Sequence, residues 1–151
     1  MNDRVPNGNQ ALALDLYELT MAQSYVDEAM ETQATFSLFV RALPPERAFL
    51  VAAGLDDALT YLETLAFTTS DLVYLEQTGL FRAAFLDRLS RLRFTGSVRA
   101  MREGTVCFAE EPLLEVTAPM IEAQLVETAL INEIQLQTMI ASKAARCVAA
   151  G

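Results

Sequence analysis

A strand-like segment ending at Pro119 runs without a linker into Met120–Gly151, where apolar residues recur at helical spacing. Ile121, Leu125, Ala129, Leu130, Ile134, Leu136 and Ile140 do not fit on one side of such a helix. A helix that is apolar on several sides needs apolar partners on several sides. The preceding residues offer few. The expectation is a boundary near Pro119: residues 1–118 form one domain, and 119–151 open a second body of structure or pack on another subunit. No capping residue is evident at the start of this Ala-rich run, and Lys143 (the single lysine of the chain) and Arg146 fall late in it.

Composition narrows the possibilities. At 151 residues and 52% apolar, the chain is long enough for a real core and too apolar for general disorder. Its net charge of −9 is spread along the sequence and argues against a nucleic-acid partner, whose phosphates would be repelled. The opening MNDRVPNGNQ lacks the apolar centre of a secretory signal. Charged residues from Glu122 to Arg146 interrupt the most apolar segment, so no membrane span is expected. The sequence holds no histidine, which excludes imidazole acid–base chemistry and His metal sites within it. Cys107 and Cys147 form no metal-ligand pattern and read as buried free thiols of a reducing, cytoplasmic setting.

Periodicity gives mixed helices and strands. Residues 1–10 read as a lead-in. A helix is expected from Ala11 to Met30, with Leu12, Leu16, Leu19, Val26 and Met30 inside and Tyr17, Thr20, Met21 and Ser24 on a second stripe. Alternation from Thr35 to Leu43 predicts a strand stopped by Pro44 and Pro45, and Ala48–Ala53 predicts a short second one. Helices follow over 55–65, from the Thr68–Asp71 cap to Gln77, and over 81–92. Strands return around Val98–Met101, Val106–Phe108 and Leu113–Val116, with turns at Gly104 and Pro112.

Several segments in order carry a family resemblance: Asp15-Leu16-Tyr17-Glu18-Leu19-Thr20-Met21; Phe36-Ser37-Leu38-Phe39-Val40-Arg41; Glu103-Gly104-Thr105-Val106 through Glu111-Pro112-Leu113-Leu114; Glu122-Ala123-Gln124-Leu125-Val126-Glu127-Thr128; and Ala141-Ser142-Lys143-Ala144-Ala145-Arg146. Together they resemble the N-terminal part of nicotinate phosphoribosyltransferases. The resemblance implies an α+β fold: an N-terminal α/β sandwich-like domain of a type II phosphoribosyltransferase, followed by the first helix of an incomplete α/β barrel. It implies formation of nicotinate mononucleotide and diphosphate from nicotinate and 5-phosphoribosyl-1-diphosphate, with coupled ATP hydrolysis through a phosphorylated His, in NAD biosynthesis. ATP and Mg2+ are thus implied cofactors, none bound by this chain alone, and a homodimer with a site shared between subunits is implied. Without a histidine, this chain reads as the N-terminal part of such an enzyme and is expected to be inactive alone. The alternatives are a non-catalytic fragment or dimerisation module, and a related quinolinate or nicotinamide phosphoribosyltransferase.

No catalytic residue and no metal ligand is expected here. The substrate-binding candidates are Tyr17, Thr20, Lys143 and Arg146. The resemblance implies that the Tyr17 ring stacks on the pyridine ring of nicotinate; the residues alone favour a half-buried core tyrosine with its hydroxyl at the surface. Thr20 is a candidate for a supporting hydrogen bond, and Asp15 for a charge at the helix start. Lys143 and Arg146 stand three apart on the expected helix, where they suit a phosphate or diphosphate or else form a solvated face. Glu103-Gly104-Thr105 reads as a turn, and Glu110-Glu111 as a solvated acidic pair.

Overall fold

The computed structural model describes residues 10–150; the expected lead-in, apart from Gln10, lies outside them. Eleven elements follow in these residues: α1 (Leu16–Asp27), β1 (Gln33–Phe39), β2 (Leu50–Val51), α2 (Leu55–Thr64), α3 (Thr69–Gln77), α4 (Ala83–Ser90), β3 (Ser97–Ala100), β4 (Val106–Cys107), β5 (Pro112–Pro119), α5 (Met120–Leu125) and α6 (Glu127–Ala150). An antiparallel sheet runs in the order β1-β5-β3, and a two-stranded antiparallel ladder joins β2 to β4.

β5 organises the larger sheet. Leu114, Val116 and Ala118 are buried on its inner face, where α5 packs. Its outer face pairs Thr35 Oγ1 with Thr117 Oγ1 at 2.8 Å, and Ser37 donates to Glu115 at 3.2 Å. That alternation of apolar-in and polar-out is what one covered face of an antiparallel sheet dictates. β1 is correspondingly shorter than the 35–43 segment expected, because its register with β5 shifts between Leu38 and Phe39. The second strand shrinks to Leu50–Val51, because β4 offers only Val106–Cys107 as partner.

The helix expected over Ala11–Met30 begins only at Leu16. Asp15 is its N-cap, and the Asp15 backbone N–H donates to Glu18 Oε2 at 2.8 Å. Its far end closes at Glu28, and Ala29 turns left-handed at φ 51°. The buried stripe is also different from the one expected. Leu16 and Met30 are exposed, while Glu18, Leu19 and Ala22 are buried. A carboxylate occupies a core position there, so an apolar count misassigns the face. By contrast, Thr68 caps α3 as expected, its hydroxyl accepting from Asp71 N–H at 3.2 Å.

The run after Pro119 is two helices broken at Val126. α6 docks on β2 and α2 through small polar groups. Thr138 Oγ1 accepts from Ala53 N–H at 3.2 Å and donates to the Ala53 carbonyl at 3.1 Å. Ser142 Oγ accepts from Val51 N–H at 2.8 Å. Both hydroxyls are buried, and they pair backbone groups of the short β2 segment that would otherwise be left unsatisfied. The same helix leaves Leu136 63%, Ile140 61% and Val148 82% exposed. The expected excess of apolar faces is real: one face of α6 is covered by the described residues and another is not. Cys107 is fully buried as expected, and burial pushes its thiol up. Cys147 is not buried; it sits exposed on the distal half of α6, beyond the β2 contact.

Gly54 fixes the approach of α6 to the domain. Its φ is +99°, and a Cβ there would lie 2.6 Å from the Glu133 carbonyl oxygen. Both the left-handed backbone and the close helix demand glycine. Glu103 completes the junction, one oxygen accepting from Gly54 N–H at 2.8 Å and Leu55 N–H at 2.7 Å, so the expected turn at Gly104 also carries a remote cap for α2. Gly54→Ala is expected to cost about 2–4 kcal/mol, measured as a lowered urea midpoint. A midpoint within experimental error of wild type would mean that α6 does not press on this turn.

Candidate functional site

The site is built where α1 meets the start of α6. Both helix starts carry backbone N–H groups with no partner inside the helix. The Glu18 carboxylate serves both: Oε2 accepts from Asp15 N–H at 2.8 Å, and Oε1 accepts from Thr128 N–H at 2.9 Å. α6 is therefore capped after all, by a residue far away in sequence. Burial raises the Glu18 carboxyl above the ordinary carboxylate value, opposed by the hydrogen bonds to Thr128 and Asp15. Tyr61 lies in the same field. Its buried hydroxyl has no hydrogen-bond partner among the described residues, and burial followed by the Glu18 charge raises its phenol.

With Glu18 turned inward, its neighbour Tyr17 is turned outward and is 44% exposed. The phenol is pushed up to about 12, first by desolvation and then by the carboxylate of Glu127, with Glu18 and Asp15 adding to it. Thr20 lies one turn on, exposed, and its hydroxyl donates to the Tyr17 carbonyl at 2.9 Å. Met21 beside them is 40% exposed. The expected Tyr17–Thr20–Met21–Ser24 stripe is thus a surface stripe.

An open, mostly apolar groove of about 400 Å³ lies nearby, between the inner face of the larger sheet and the α5–α6 join. Phe36, Leu38, Leu114, Val126 and Leu130 line it, with Ser37 and Glu127 as its polar members. Glu127 borders the groove, and its negative charge helps raise the Tyr17 phenol. Sequence reasoning quoted Glu127 without giving it a role. Its charge acts on Tyr17 from far along the chain, so no local signal marks it.

Lys143 and Arg146 are elsewhere. Lys143 is exposed, Arg146 is half-buried, and Arg146 Nη1 is a buried donor with no partner among the described residues. Arg146 follows Glu127 by nineteen residues of continuous α6, which is about 28 Å at 1.5 Å per residue. A small-molecule pocket of about 300–1,000 Å³ is only ~7–10 Å across. Within one chain the structure does not bring Tyr17 and Thr20 together with Lys143 and Arg146. Neither group makes a site for the implied cofactors. Among the described residues no three His, Cys, Asp or Glu side chains are placed to hold a metal ion, and the sequence has no histidine to take a phosphoryl group. Among the same residues no helix is long and apolar enough to cross a membrane.

The fold is that of the N-terminal domain of type II phosphoribosyltransferases. It superposes on human nicotinic acid phosphoribosyltransferase with a TM-score of 0.79 at 34% identity, over 87% of this chain and 27% of that one. It also matches, in fold alone, the nicotinate-nucleotide pyrophosphorylase of Pyrococcus furiosus, with a TM-score of 0.61 at 18% identity over 89% of this chain and 28% of that one. The family described as nicotinate phosphoribosyltransferase (NAPRTase) N-terminal domain matches residues 12–135, and the chain belongs to it. The Mycobacterium tuberculosis nicotinate phosphoribosyltransferase pncB2 is 53% identical over 93% of this chain. The Bacillus subtilis nicotinate phosphoribosyltransferase is 47% identical over 90% of it. The chain spans 30% and 28% of the length of these two relatives.

Because burial raises Glu18, the native state holds its proton more tightly than the unfolded chain does. Its contribution to stability is present below the ordinary carboxylate range and is lost as pH rises through the raised value. The unfolding free energy of wild type minus that of Glu18→Gln, from urea titrations at successive pH values, is expected to fall over that rise. A difference independent of pH would show that Glu18 is not perturbed by folding.

Proposed function

We propose that this chain is the N-terminal part of a nicotinate phosphoribosyltransferase of NAD biosynthesis, in which 119–151 leads into the barrel domain. The enzyme joins nicotinate to the ribose of 5-phosphoribosyl-1-diphosphate and releases diphosphate. The observation that carries the reading is Tyr17. In a domain of this family, it is an aromatic side chain exposed on α1 next to a buried, hydrogen-bonded Glu18. Offset stacking of its ring on an electron-poor pyridine ring contributes about 0.5–1.5 kcal/mol beyond the area buried. Thr20 steadies the first turn that presents it. Relatives named for nicotinate favour that substrate over quinolinate or nicotinamide. The two free thiols suit a cytoplasmic setting.

The span of α6 supports a homodimer with a shared site. Tyr17 and Arg146 of one chain are too far apart for one substrate, so each would serve a different site, completed by the other subunit. Arg146 and Lys143 would hold phosphate oxygens of the ribosyl donor, a role suited to the planar guanidinium fork. The exposed Leu136, Ile140 and Val148 are the apolar surface that the rest of the enzyme would cover. ATP hydrolysis and any Mg2+ would be handled by residues outside this chain.

In the full-length enzyme carrying this domain, Tyr17→Ala is expected to raise the nicotinate KM at least tenfold with little change in the thermal midpoint. An unchanged nicotinate KM would remove Tyr17 from the site. Arg146→Ala is expected to raise the KM for the phosphoribosyl donor instead. If the donor KM stays put while stability drops, Arg146 belongs to the packing of α6.

A further inference from the structure

We propose that Glu18 is a positioning residue for Tyr17, tying the backbone that carries this ring to the start of α6 so that the ring is set in place for a planar aromatic acid. The inference rests on the reading of Tyr17 given above. Three observations converge on Glu18. First, its two oxygens serve two different segments: Oε2 accepts from Asp15 N–H at 2.8 Å, and Oε1 accepts from Thr128 N–H at 2.9 Å. Tyr17 lies inside the short turn that the Asp15 bond closes, next in sequence to the residue that closes it. Second, the Thr128 end of the tie belongs to an anchored helix. Further along α6, Ser142 Oγ accepts from Val51 N–H at 2.8 Å and Thr138 Oγ1 donates to the Ala53 carbonyl at 3.1 Å. Third, Thr20 Oγ1 donates to the Tyr17 carbonyl at 2.9 Å. The backbone before and after Tyr17 is thus held, while its side chain stays 44% exposed.

An acidic residue in the first turn of a helix ordinarily caps its own helix. That role uses one oxygen and needs no burial. Glu18 is fully buried, and its second oxygen reaches a residue 110 positions away. Burying a carboxylate is costly, and an apolar side chain would fill the same space without that cost. An apolar side chain would not fix a direction, because apolar packing is non-directional. Two hydrogen bonds to a charged acceptor set both the distance and the angle between the two helix starts. Stacking on a pyridine ring needs that definition, since aromatic pairs favour particular offset and edge-to-face arrangements. A misplacement on the order of 1 Å is enough to spoil such a bound geometry. Glu18 touches no substrate and takes no part in bond making; it acts through Tyr17.

The test is a double-mutant cycle in the full-length enzyme carrying this domain, with nicotinate KM, donor KM, kcat and thermal midpoint measured for each variant. Glu18→Ala is expected to raise the nicotinate KM about fivefold to tenfold, the size of a lost stacking contact, and to leave the donor KM unchanged. Glu18→Gln keeps one acceptor oxygen for two donors, and its nicotinate KM is expected to fall between those of wild type and Glu18→Ala. Thr128→Pro removes the N–H at the other end of the tie, in the first turn of α6 where proline is tolerated. It is expected to raise the nicotinate KM in the same sense. In the Tyr17→Ala background, Glu18→Ala is expected to add no further rise, since a residue acting through Tyr17 then has nothing to act on. A merely structural role would lower the midpoint and leave both KM values alone or move them together. The proposal is overturned if Glu18→Ala leaves the nicotinate KM unchanged, raises the donor KM equally, or multiplies with Tyr17→Ala. Should Glu18→Ala fail to fold, Glu18→Gln and Thr128→Pro decide the matter, and an unchanged nicotinate KM in both sinks it. Tyr17→Ala separates the two levels. If it raises the nicotinate KM while Glu18→Ala does not, only the role of Glu18 falls; if it does nothing, the stacking role falls and this inference with it.

Discussion

One buried carboxylate ties the starts of two helices together. Glu18 lies between two helix starts and accepts a backbone N–H from each. An ionised group inside a protein is costly unless its oxygens are satisfied. Two N–H donors at the positive ends of two helices satisfy them. The consequence is positional. Glu18 is buried while its neighbour Tyr17 is exposed, and pinning Thr128 holds the start of α6 beside the start of α1.

The second constraint is the attachment of α6. Thr138 and Ser142 substitute their hydroxyls for the strand partner that the short β2 lacks, and Gly54 lets the helix backbone come close. These contacts hold one face of α6 against the domain and leave Leu136, Ile140 and Val148 uncovered. A continuous helix anchored in this way also acts as a spacer. It keeps Lys143 and Arg146 at one end and the Tyr17 surface at the other, and this separation gives the shared-site reading its physical motive.

Much of the fold was legible in the residues. Alternation marked β1, and Thr68 with Asp71 marked the start of α3, because these signals act between near neighbours in the chain. The excess of apolar faces after Pro119 was visible for the same reason. The buried stripe of α1 was not, because Glu18 looks like a surface residue until its two distant donors are known. Nor was the break at Val126, since Thr128 finds its cap on another helix. Cys147 was misread because an apolar neighbourhood in sequence does not say which half of a long helix is covered. Tyr17 and Thr20 were legible as a stripe with hydroxyls out of place for a core, whereas Glu127 carried no mark.

The sequence by itself determined the element types, their order, the absence of imidazole chemistry and the family, since each of these is written in local pattern or in matched segments. Tertiary structure alone decided which charged residues are buried, which face of α6 is open, and that Tyr17 lies by the start of α6 while Arg146 lies near its far end. Those outcomes depend on hydrogen bonds and packing between segments up to a hundred or so residues apart, such as the 2.9 Å bond from Thr128 to Glu18. Contacts of that kind are selected by the folded geometry as a whole and leave no periodic trace in the chain.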